Sequence, residues 1–374
     1  MAKFDIDKEL FKVSHNREAF KALFIYIIYS FKNDIKSLLA YGGGKYKMRN
    51  QLNEIFNNYL SKNHHYDTYI DGFFGMGGSL KALSKSLEKH GVKNVIVNEL
   101  NPCICTMHEH IRNAPHLLID YFLEFVRTEI IIPYKKLYIS AEEFLEVKQV
   151  MIKRFYKFQD KGEFGVETSS LMIMLSAFNF SGMMSFNKVG LINFGKPIYQ
   201  FQDIDDMFYK TIKRINTFSE LYNRFEMKFI NGNYFTLYHH FKDKPNTLWN
   251  IDPVYLKQDY RKYDKEEMKT FKNSDIVECT VNYAQSKFNH IGVLEGLKNI
   301  DFIYNNNTSP LLHYYIDILN LEYIAFDRKG QISNSVDAED KQVKELILYQ
   351  NNFNKNISTS ANNLIPSKPT QECA

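Results

Sequence analysis

Apolar residues recur with helical spacing near the start of the chain and with strand-like spacing further along. Five apolar side chains in the first segment fall three or four positions apart and so line one face of a helix. They are Phe20, Leu23, Phe24, Ile27 and Ile28. A run of glycines at positions 42–44 ends this pattern, and a second helical segment follows through Met48, Leu52 and Ile55. We assign residues 1–37 to a helical N-terminal extension.

A strand, a glycine-rich turn, a helix and a second strand follow in that order. Residues 68–71 read as a short buried strand that leads into the turn at 72–78, and residues 79–90 have helical spacing. The second apolar run, residues 95–99, ends in an acid. This succession is the first half of an open, mostly parallel α/β sheet.

Strand-like runs return in the second half of the chain, after a long stretch of different character. They are residues 229–230, 247–251, 276–281, 301–304, 323–326 and 345–349. The stretch before them, residues 101–225, consists of helical segments rich in aromatic and charged residues. We therefore predict an α/β fold, with a Rossmann-like, mixed and mostly parallel sheet in residues 38–100 and 226–352 and a mainly helical insertion at 101–225. Residues 353–374, rich in Asn, Ser, Thr and Pro, are predicted to form a disordered tail.

The composition is that of a soluble globular protein. Hydrophobic residues make up 44% of the 374 residues and charged residues 24%, which argues against a wholly disordered chain and against a membrane protein. The apolar stretch at residues 20–31 is far shorter than the roughly 20 residues that cross a bilayer. No secretion signal precedes it, so we expect the chain to stay in the cytoplasm. The formal net charge of +4 permits a phosphate backbone as partner without indicating one.

The cysteines and histidines predict no metal site. The four cysteines are sparse and irregularly spaced, which is typical of reduced thiols and not of zinc ligands. They are Cys103, Cys105, Cys279 and Cys373. Two pairs of adjacent histidines, His64 with His65 and His239 with His240, would point their side chains apart on a helix or a strand.

The glycine-rich turn and the acid after it favour a nucleotide-like cofactor. The turn lies at the carboxyl end of the first predicted strand, where an open α/β sheet binds such ligands, and glycine lets the backbone approach them closely. Glu99 ends the next strand, from which a carboxylate can accept hydrogen bonds from both hydroxyls of a ribose. The pair favours an adenosine-containing cofactor, and the alternative is a solvated acid at a strand end.

The four residues Asp252-Pro253-Val254-Tyr255 directly follow a predicted apolar strand. Methyl transfer to an aromatic amine requires acceptors that draw the amine toward tetrahedral geometry. The Asp252 carboxylate and the Pro253 carbonyl can each accept one amino hydrogen, and the proline stiffens the turn. Tyr255 offers an aromatic face on which an extruded base can stack. The alternative interpretation is an Asp-Pro turn followed by an aromatic residue of the core.

Four motifs occur in a fixed order along the chain. Residues 43–45 read Gly-Gly-Lys, residues 71–77 read Asp-Gly-Phe-Phe-Gly-Met-Gly, residues 98–101 read Asn-Glu-Leu-Asn, and Asp-Pro-Val-Tyr at 252–255 comes after the insertion. This ordered set resembles the Dam-type adenine-N6 DNA methyltransferases. The resemblance covers roughly residues 38–352. It implies a methyltransferase-type fold, S-adenosylmethionine as cofactor with S-adenosylhomocysteine as product, and double-stranded DNA as partner.

The resemblance also implies a role for each matching residue. Catalysis is assigned to Asp252, Pro253 and Tyr255. Cofactor binding is assigned to Tyr41, Gly44, Lys45, Asp71, Phe73, Gly75, Gly77, Glu99, Asn233 and Asp252. DNA contact, within a target-recognition insertion, is assigned to Asn179, Ser181, Ser185, Asn187, Lys188 and Lys196.

Three positions depart from the pattern of the family. Val254 replaces the second proline of the usual Asp-Pro-Pro-Tyr, and because it leaves both acceptor oxygens and the ring in place, we expect slower or altered chemistry. Asn233 replaces the acid that holds the cofactor adenine, and its amide oxygen still accepts a hydrogen bond. Ser185 replaces a usual arginine, which bears on the recognition sequence or on the grip on phosphate.

Two alternatives stay open at the level of the sequence. The departures also fit a catalytically silent relative that binds nucleic acid or serves as a partner subunit. The same chemistry could instead act on adenine in RNA or in single-stranded nucleic acid. The resemblance implies the cytoplasm of a bacterial or phage-infected cell and is compatible with a companion restriction nuclease, and the sequence leaves open whether the chain is a monomer or a dimer.

Overall fold

The computed structural model describes most of the chain, in ten segments. They are residues 6–29, 48–61, 66–136, 139–177, 184–186, 192–194, 204–253, 290–307, 310–329 and 342–349. Within them the helices α1–α13 are, in chain order, Ile6–Val13, Arg17–Tyr29, Arg49–Ser61, Gly78–Lys89, Pro102–Asn113, Pro115–Val126, Ile132–Tyr134, Ala141–Lys161, Val166–Ala177, Ile204–Tyr222, Tyr234–Phe241, His290–Gly296 and Pro310–Leu319. The strands β1–β9 are Thr68–Asp71, Asn94–Glu99, Met184–Phe186, Ile192–Phe194, Glu226–Asn231, Thr247–Ile251, Asp301–Asn307, Glu322–Lys329 and Gln342–Tyr349.

The chain divides into two compact units, each made of several segments. The first unit comprises Met1–Tyr46, Gly75–Lys81 and Glu99–Asn231. The second comprises Lys47–Phe74, Ala82–Asn98 and Gly232–Ala374. Each unit is described separately below.

The second unit contains the parallel part of the fold. Its strands are hydrogen-bonded neighbours in the order β2-β1-β6-β7-β9-β8. Strands β2, β1, β6 and β7 pair in parallel, whereas β9 runs antiparallel to both β7 and β8. Because only β9 runs against the others, the sheet is mixed and mostly parallel, as the sequence predicts.

Strand β1 lies in the middle of the parallel strands and is buried along its whole length. It pairs with β2 on one side and with β6 on the other, so that Ile70 lies between Ile96 and Trp249. β6 is likewise buried at every position. Central parallel strands covered on both faces carry large side chains on both faces, such as Tyr69 and Ile70 in β1 and Leu248 and Trp249 in β6.

The first unit is mainly helical in its described part. Helix α9 packs against α5, α6 and α8, and residues 171–175 in its middle are almost fully buried. A helix that is apolar on all sides is a core helix, and the other helices surround it. The described residues between 101 and 225 are mainly helical, while the insertion at 101–225 and its role in target recognition stay predictions.

Local signals explain where several of these helices begin and end. The Asn101 side chain accepts hydrogen bonds from the N–H groups of Cys103 and Ile104 at the start of α5. Ser140 and Glu143 form a reciprocal capping box at the start of α8, and the helix ends at Gly162 with a φ of 67°. Such caps satisfy the backbone groups that a helix end leaves unpaired.

The structure adds a short antiparallel pair that the sequence pattern did not predict. Strands β3 and β4 pair so that Ser185 lies opposite Asn193. Strands of three residues are too short to show a periodic pattern. The other predicted strands are present with slightly different ends, except that the run at 276–281 lies outside the described residues, as do the predicted tail at 353–374 and the segment at 30–47.

Across the described segments, none of the helices combines the length and the apolar character that crossing a membrane requires.

The centre of the sheet gives a first prediction about stability. Ile70 is fully buried in β1, whereas Ile318 on α13 of the same unit is 55% exposed. Replacing Ile70 with alanine removes packed methyl groups and leaves a cavity, so we expect the free energy of unfolding to fall by about 2–5 kcal/mol. Chemical denaturation measures this change.

The matched control is Ile318→Ala, which deletes the same atoms from an exposed position. We expect it to change the free energy of unfolding by less than about 0.5 kcal/mol. Equal losses in the two variants would contradict the position of β1 at the centre of the sheet.

Candidate active site

Asp71 ends β1 and organises the first half of the glycine-rich turn. One of its carboxylate oxygens accepts a hydrogen bond from the Phe73 N–H at 3.2 Å, and the other accepts one from the Tyr69 hydroxyl at 3.2 Å. Burial raises the pKa of Asp71 to about 7, the Phe73 N–H opposes this rise, and the nearby Asp252 carboxylate adds to it. Asp71 is thus a buried carboxylate that binds the turn with one oxygen and strand β1 with the other.

The turn packs closely against the start of helix α11. The rings of Phe73 and Tyr234 stack with centroids 4.9 Å apart and an interplanar angle of 18°. A Cβ atom on Gly72 would lie 3.0 Å from the Tyr234 ring, so only glycine fits here without displacing that ring. Asn233 caps α11, because its side-chain oxygen accepts a hydrogen bond from the Phe235 N–H at 2.8 Å.

The second half of the turn belongs to the first unit and is bound by Glu99. Gly75 and Gly77 have positive φ values of 51° and 68°, the left-handed region that favours glycine. One Glu99 oxygen accepts a hydrogen bond from the Gly75 N–H at 3.1 Å, and the other accepts one from the Asn101 N–H at 2.8 Å. Burial raises the pKa of Glu99 to about 7, although these backbone hydrogen bonds oppose the rise.

Asn231 fixes the backbone at the same place. Its side-chain amide donates to the carbonyl of Glu99 at 2.8 Å and to the carbonyl of Leu100 at 3.0 Å. The Leu100 side chain is 68% exposed, a high value for a large apolar residue. The segment that presents the Glu99 carboxylate is therefore held at both its backbone and its side chain.

Asp252 and Pro253 directly follow the buried strand β6 in the second unit. Asp252 is half-buried, Pro253 is buried, and the Asp252 charge reaches Asp71 strongly enough to raise the pKa of that carboxyl. Since β6 is the parallel neighbour of β1, the carboxyl ends of these strands bring two acidic residues to one edge of the sheet.

The predicted site residues fall into three groups: those in the second unit, those in the first unit and those outside the described residues. The second unit holds Asp71, Phe73, Asn233, Asp252 and Pro253, and the first unit holds Gly75, Gly77 and Glu99, with Ser185 in β3. The third group lies outside the described residues. It comprises Tyr41, Gly44, Lys45, Asn179, Ser181, Asn187, Lys188, Lys196, Val254 and Tyr255.

Two residues of this region were not identified from the sequence. Tyr234 stacks on Phe73, and Asn101 donates its N–H to Glu99. Asn101 has a recognisable signal, since an Asn before a Pro and a helical segment is typical of a helix start. Tyr234 has none, because its stacking partner lies far away along the chain.

Most of the chain matches a known protein family. The model of a family described as D12 class N6 adenine-specific DNA methyltransferase matches residues 41–308. The chain belongs to this family. The match includes every catalytic, cofactor-binding and DNA-contacting residue predicted from the sequence. No sequence among the curated proteins matches the chain.

This methyltransferase is therefore an S-adenosylmethionine-dependent enzyme that methylates adenine in DNA. The groups around its glycine-rich turn fit that cofactor. Of the roughly four lone-pair sites of the Glu99 carboxylate, two accept the Gly75 and Asn101 N–H groups and another interacts with the Leu100 N–H, so the group retains capacity for a ribose hydroxyl. Gly72, Gly75 and Gly77 carry no side chains of their own, so the backbone of the turn can approach a ligand closely.

The raised pKa of Glu99 predicts how cofactor affinity depends on pH. A buried carboxyl with a pKa of about 7 keeps its proton where a free glutamate has lost it, and only the ionised form accepts with both oxygens. We expect affinity for S-adenosylhomocysteine to rise about tenfold from pH 6 to pH 8. Isothermal titration calorimetry across this range measures the rise.

Glu99→Gln tests whether that carboxyl is responsible. We expect this variant to bind more weakly and with little dependence on pH. Glu109→Gln, a change at an exposed position of helix α5, should keep both the affinity and the pH profile of the unaltered enzyme. A profile that survives in Glu99→Gln would exclude Glu99 as its source.

Proposed function

We propose that the enzyme transfers a methyl group from S-adenosylmethionine to the N6 amine of an adenine flipped out of double-stranded DNA. The observation that carries the proposal is the placement of Asp252 and Pro253 directly after β6, beside the strand that leads into the glycine-rich turn. In parallel sheets, ligands bind at the carboxyl ends of the strands. The proposed acceptors of the amine and the turn share that edge.

The cofactor would be held by residues on both sides of the turn. S-adenosylmethionine supplies a methyl group on a positively charged sulfur. Glu99 would accept hydrogen bonds from the ribose, and Gly75 and Gly77 would let the backbone approach the ligand. Phe73 and Asn233 would contact the remainder, together with Tyr41, Gly44, Lys45 and Asp71, whose roles stay predictions from the family pattern.

Asn233 has a restricted role in this proposal. Its side-chain oxygen already caps helix α11, so any adenine amine would share that oxygen with the Phe235 N–H. An aspartate at this position could cap with one oxygen and offer the other, whereas asparagine offers an amide N–H instead. We therefore expect Asn233→Asp to tighten cofactor binding.

The target amine would be held by Asp252 and Pro253. The Asp252 carboxylate accepts one amino hydrogen and the Pro253 carbonyl accepts the other, which directs the nitrogen lone pair away from the ring. Tyr255 would stack on the flipped base, as the family pattern implies. Catalysis then consists mainly of positioning, because the amine is held in line with the methyl group.

The helical unit would bind the DNA. The sequence assigns DNA contact to residues around the β3–β4 pair, and Ser185 lies within β3. We also propose that the catalytic domain comprises residues 38–100 and 226–352, that residues 101–225 form the target-recognition insertion, and that the enzyme acts in the cytoplasm. A companion restriction nuclease and a monomeric or dimeric state are both compatible with this role.

Asp252→Ala tests the central step. The variant removes one of the two acceptors, so we expect it to abolish methyl transfer, a loss of about 100-fold or more. S-adenosylhomocysteine should still bind within about threefold of normal, because interactions made only in the transition state leave ground-state binding intact. Transfer of tritiated methyl groups to unmethylated duplex DNA and calorimetry give the two measurements.

Asp301→Asn is the matched control, since Asp301 begins the adjacent strand β7, at its amino end. Its carboxylate accepts a hydrogen bond from the Tyr66 hydroxyl at 2.9 Å. We expect the Asp301→Asn variant, which loses the negative charge, to show unchanged methyl transfer. Unaltered transfer by Asp252→Ala would overturn the assignment.

The departures at Val254, Asn233 and Ser185 keep the silent relative as a second candidate, and the acceptor can be tested in the same assay. We expect duplex DNA to be labelled in preference to single-stranded DNA and RNA. Labelling of RNA alone would show that the substrate is RNA. DNA binding without labelling would indicate the catalytically silent relative. Sequencing DNA from cells that express the protein then identifies the modified adenines and their flanking bases.

A further inference from the structure

A buried histidine of the helical unit contacts the glycine-rich turn. His108 lies on helix α5 and its side chain is fully buried. Its Nε2 atom lies 2.7 Å from the carbonyl oxygen of Gly75, and its Nδ1 atom lies 2.8 Å from the hydroxyl of Tyr222. Both contacts are within hydrogen-bonding distance.

We propose that His108 is a positioning residue for the cofactor. It holds the Gly75 segment of the turn in the conformation in which the Gly75 N–H donates to Glu99. The inference rests on the proposed function, because it takes this turn to be the cofactor site. No role in cofactor binding or catalysis was assigned to His108 from the sequence.

The partners of the ring determine which nitrogen carries the proton. A carbonyl oxygen can only accept, so Nε2 must donate to Gly75. In a neutral ring Nδ1 is then an acceptor, and the Tyr222 hydroxyl donates to it. Burial lowers the pKa of His108 to about 4, which keeps the ring neutral near pH 7.

The hydrogen bonds hold Gly75 from both sides. Its carbonyl accepts from His108, and its N–H donates to Glu99 at 3.1 Å. Gly75 has a φ of 51°, and glycine adopts positive φ values about as readily as negative ones. Because the residue is intrinsically flexible, the two hydrogen bonds select one conformation of the turn.

Packing around the imidazole fixes its orientation. The Phe229 ring lies parallel to it, with an angle of 3° and centroids 6.2 Å apart, and the Tyr222 ring meets it edge-on at 5.8 Å. Tyr222 is itself fully buried at the end of helix α10. The His108 ring therefore links helices α5 and α10 to the Gly75 carbonyl in the turn.

A pair of substitutions separates this role from simple packing. His108→Leu removes the donor to Gly75, whereas His108→Gln keeps a side-chain N–H that can replace it. We expect His108→Leu to weaken S-adenosylhomocysteine binding about tenfold and His108→Gln to restore affinity to within about threefold of normal. Tyr222→Phe removes the hydroxyl that donates to Nδ1, so that the tautomer of the His108 ring is no longer fixed. We expect this variant to weaken S-adenosylhomocysteine binding about threefold.

Steady-state kinetics supply a second readout. Loss of positioning before the chemical step raises the KM for S-adenosylmethionine and leaves kcat within about twofold, since Asp252 and Pro253 are untouched. The matched control is His110→Leu on the same helix. His110 bonds to the Ser169 hydroxyl at 2.9 Å and not to the turn, so this variant should lose stability and keep its affinity.

The outcomes distinguish the inference from the proposed function. Normal affinity in His108→Leu, or equal losses in the Leu and Gln variants, would overturn the role of His108 while weak binding by Glu99→Gln upholds the cofactor site. Normal affinity in Glu99→Gln would instead reject the cofactor site itself. If His108→Leu does not fold, normal affinity in Tyr222→Phe overturns the inference and weakened affinity supports it.

Discussion

The buried carboxylate of Asp71 and the half-buried carboxylate of Glu99 bind the backbone of the glycine-rich turn, and the rest of the candidate site depends on them. Asp71 accepts the N–H of Phe73, and Glu99 accepts the N–H of Gly75. A turn rich in glycine has high conformational entropy and few side chains to hold it. Hydrogen bonds donated to carboxylates that are shielded from water are among the stronger ones available, and they give this flexible segment a defined conformation.

The same burial that strengthens these hydrogen bonds makes the two carboxyls hard to ionise. Asp71 and Glu99 both have a pKa raised to about 7 by desolvation, and Asp71 also faces the charge of Asp252. In the proposed complex the ionised form of Glu99 accepts from the cofactor, so binding would favour its ionisation, and cofactor affinity and the protonation of Glu99 are linked.

Residues of the first unit reinforce the Gly75 end of the turn and the Glu99 segment through polar contacts that join distant parts of the chain. His108 connects Gly75 to Tyr222, and Asn231 holds the backbone carbonyls of Glu99 and Leu100. The helical segment therefore has a structural role at the turn in addition to the DNA contact proposed for it. A substitution in this segment can alter cofactor binding without touching the ligand.

The sequence by itself determined the parts of the protein that depend on local pattern. Short segments such as Thr68–Asp71 and Thr247–Ile251 have strand-like composition, and glycines and acids at their ends indicate the turn and the carboxylates. The order of the motifs also identified the family, because their combination is far more specific than any one of them. These signals lie within a few neighbouring residues and therefore survive without knowledge of the fold.

Only the tertiary structure decided what those residues contact. The link from His108 reaches 33 residues back to Gly75 and 114 residues forward to Tyr222, and the stacking of Phe73 on Tyr234 likewise crosses a long stretch of chain. No periodicity encodes such pairs, because they arise when separate elements pack together. The raised pKa values belong to the same class, since desolvation depends on everything that surrounds a group and not on its neighbours in sequence.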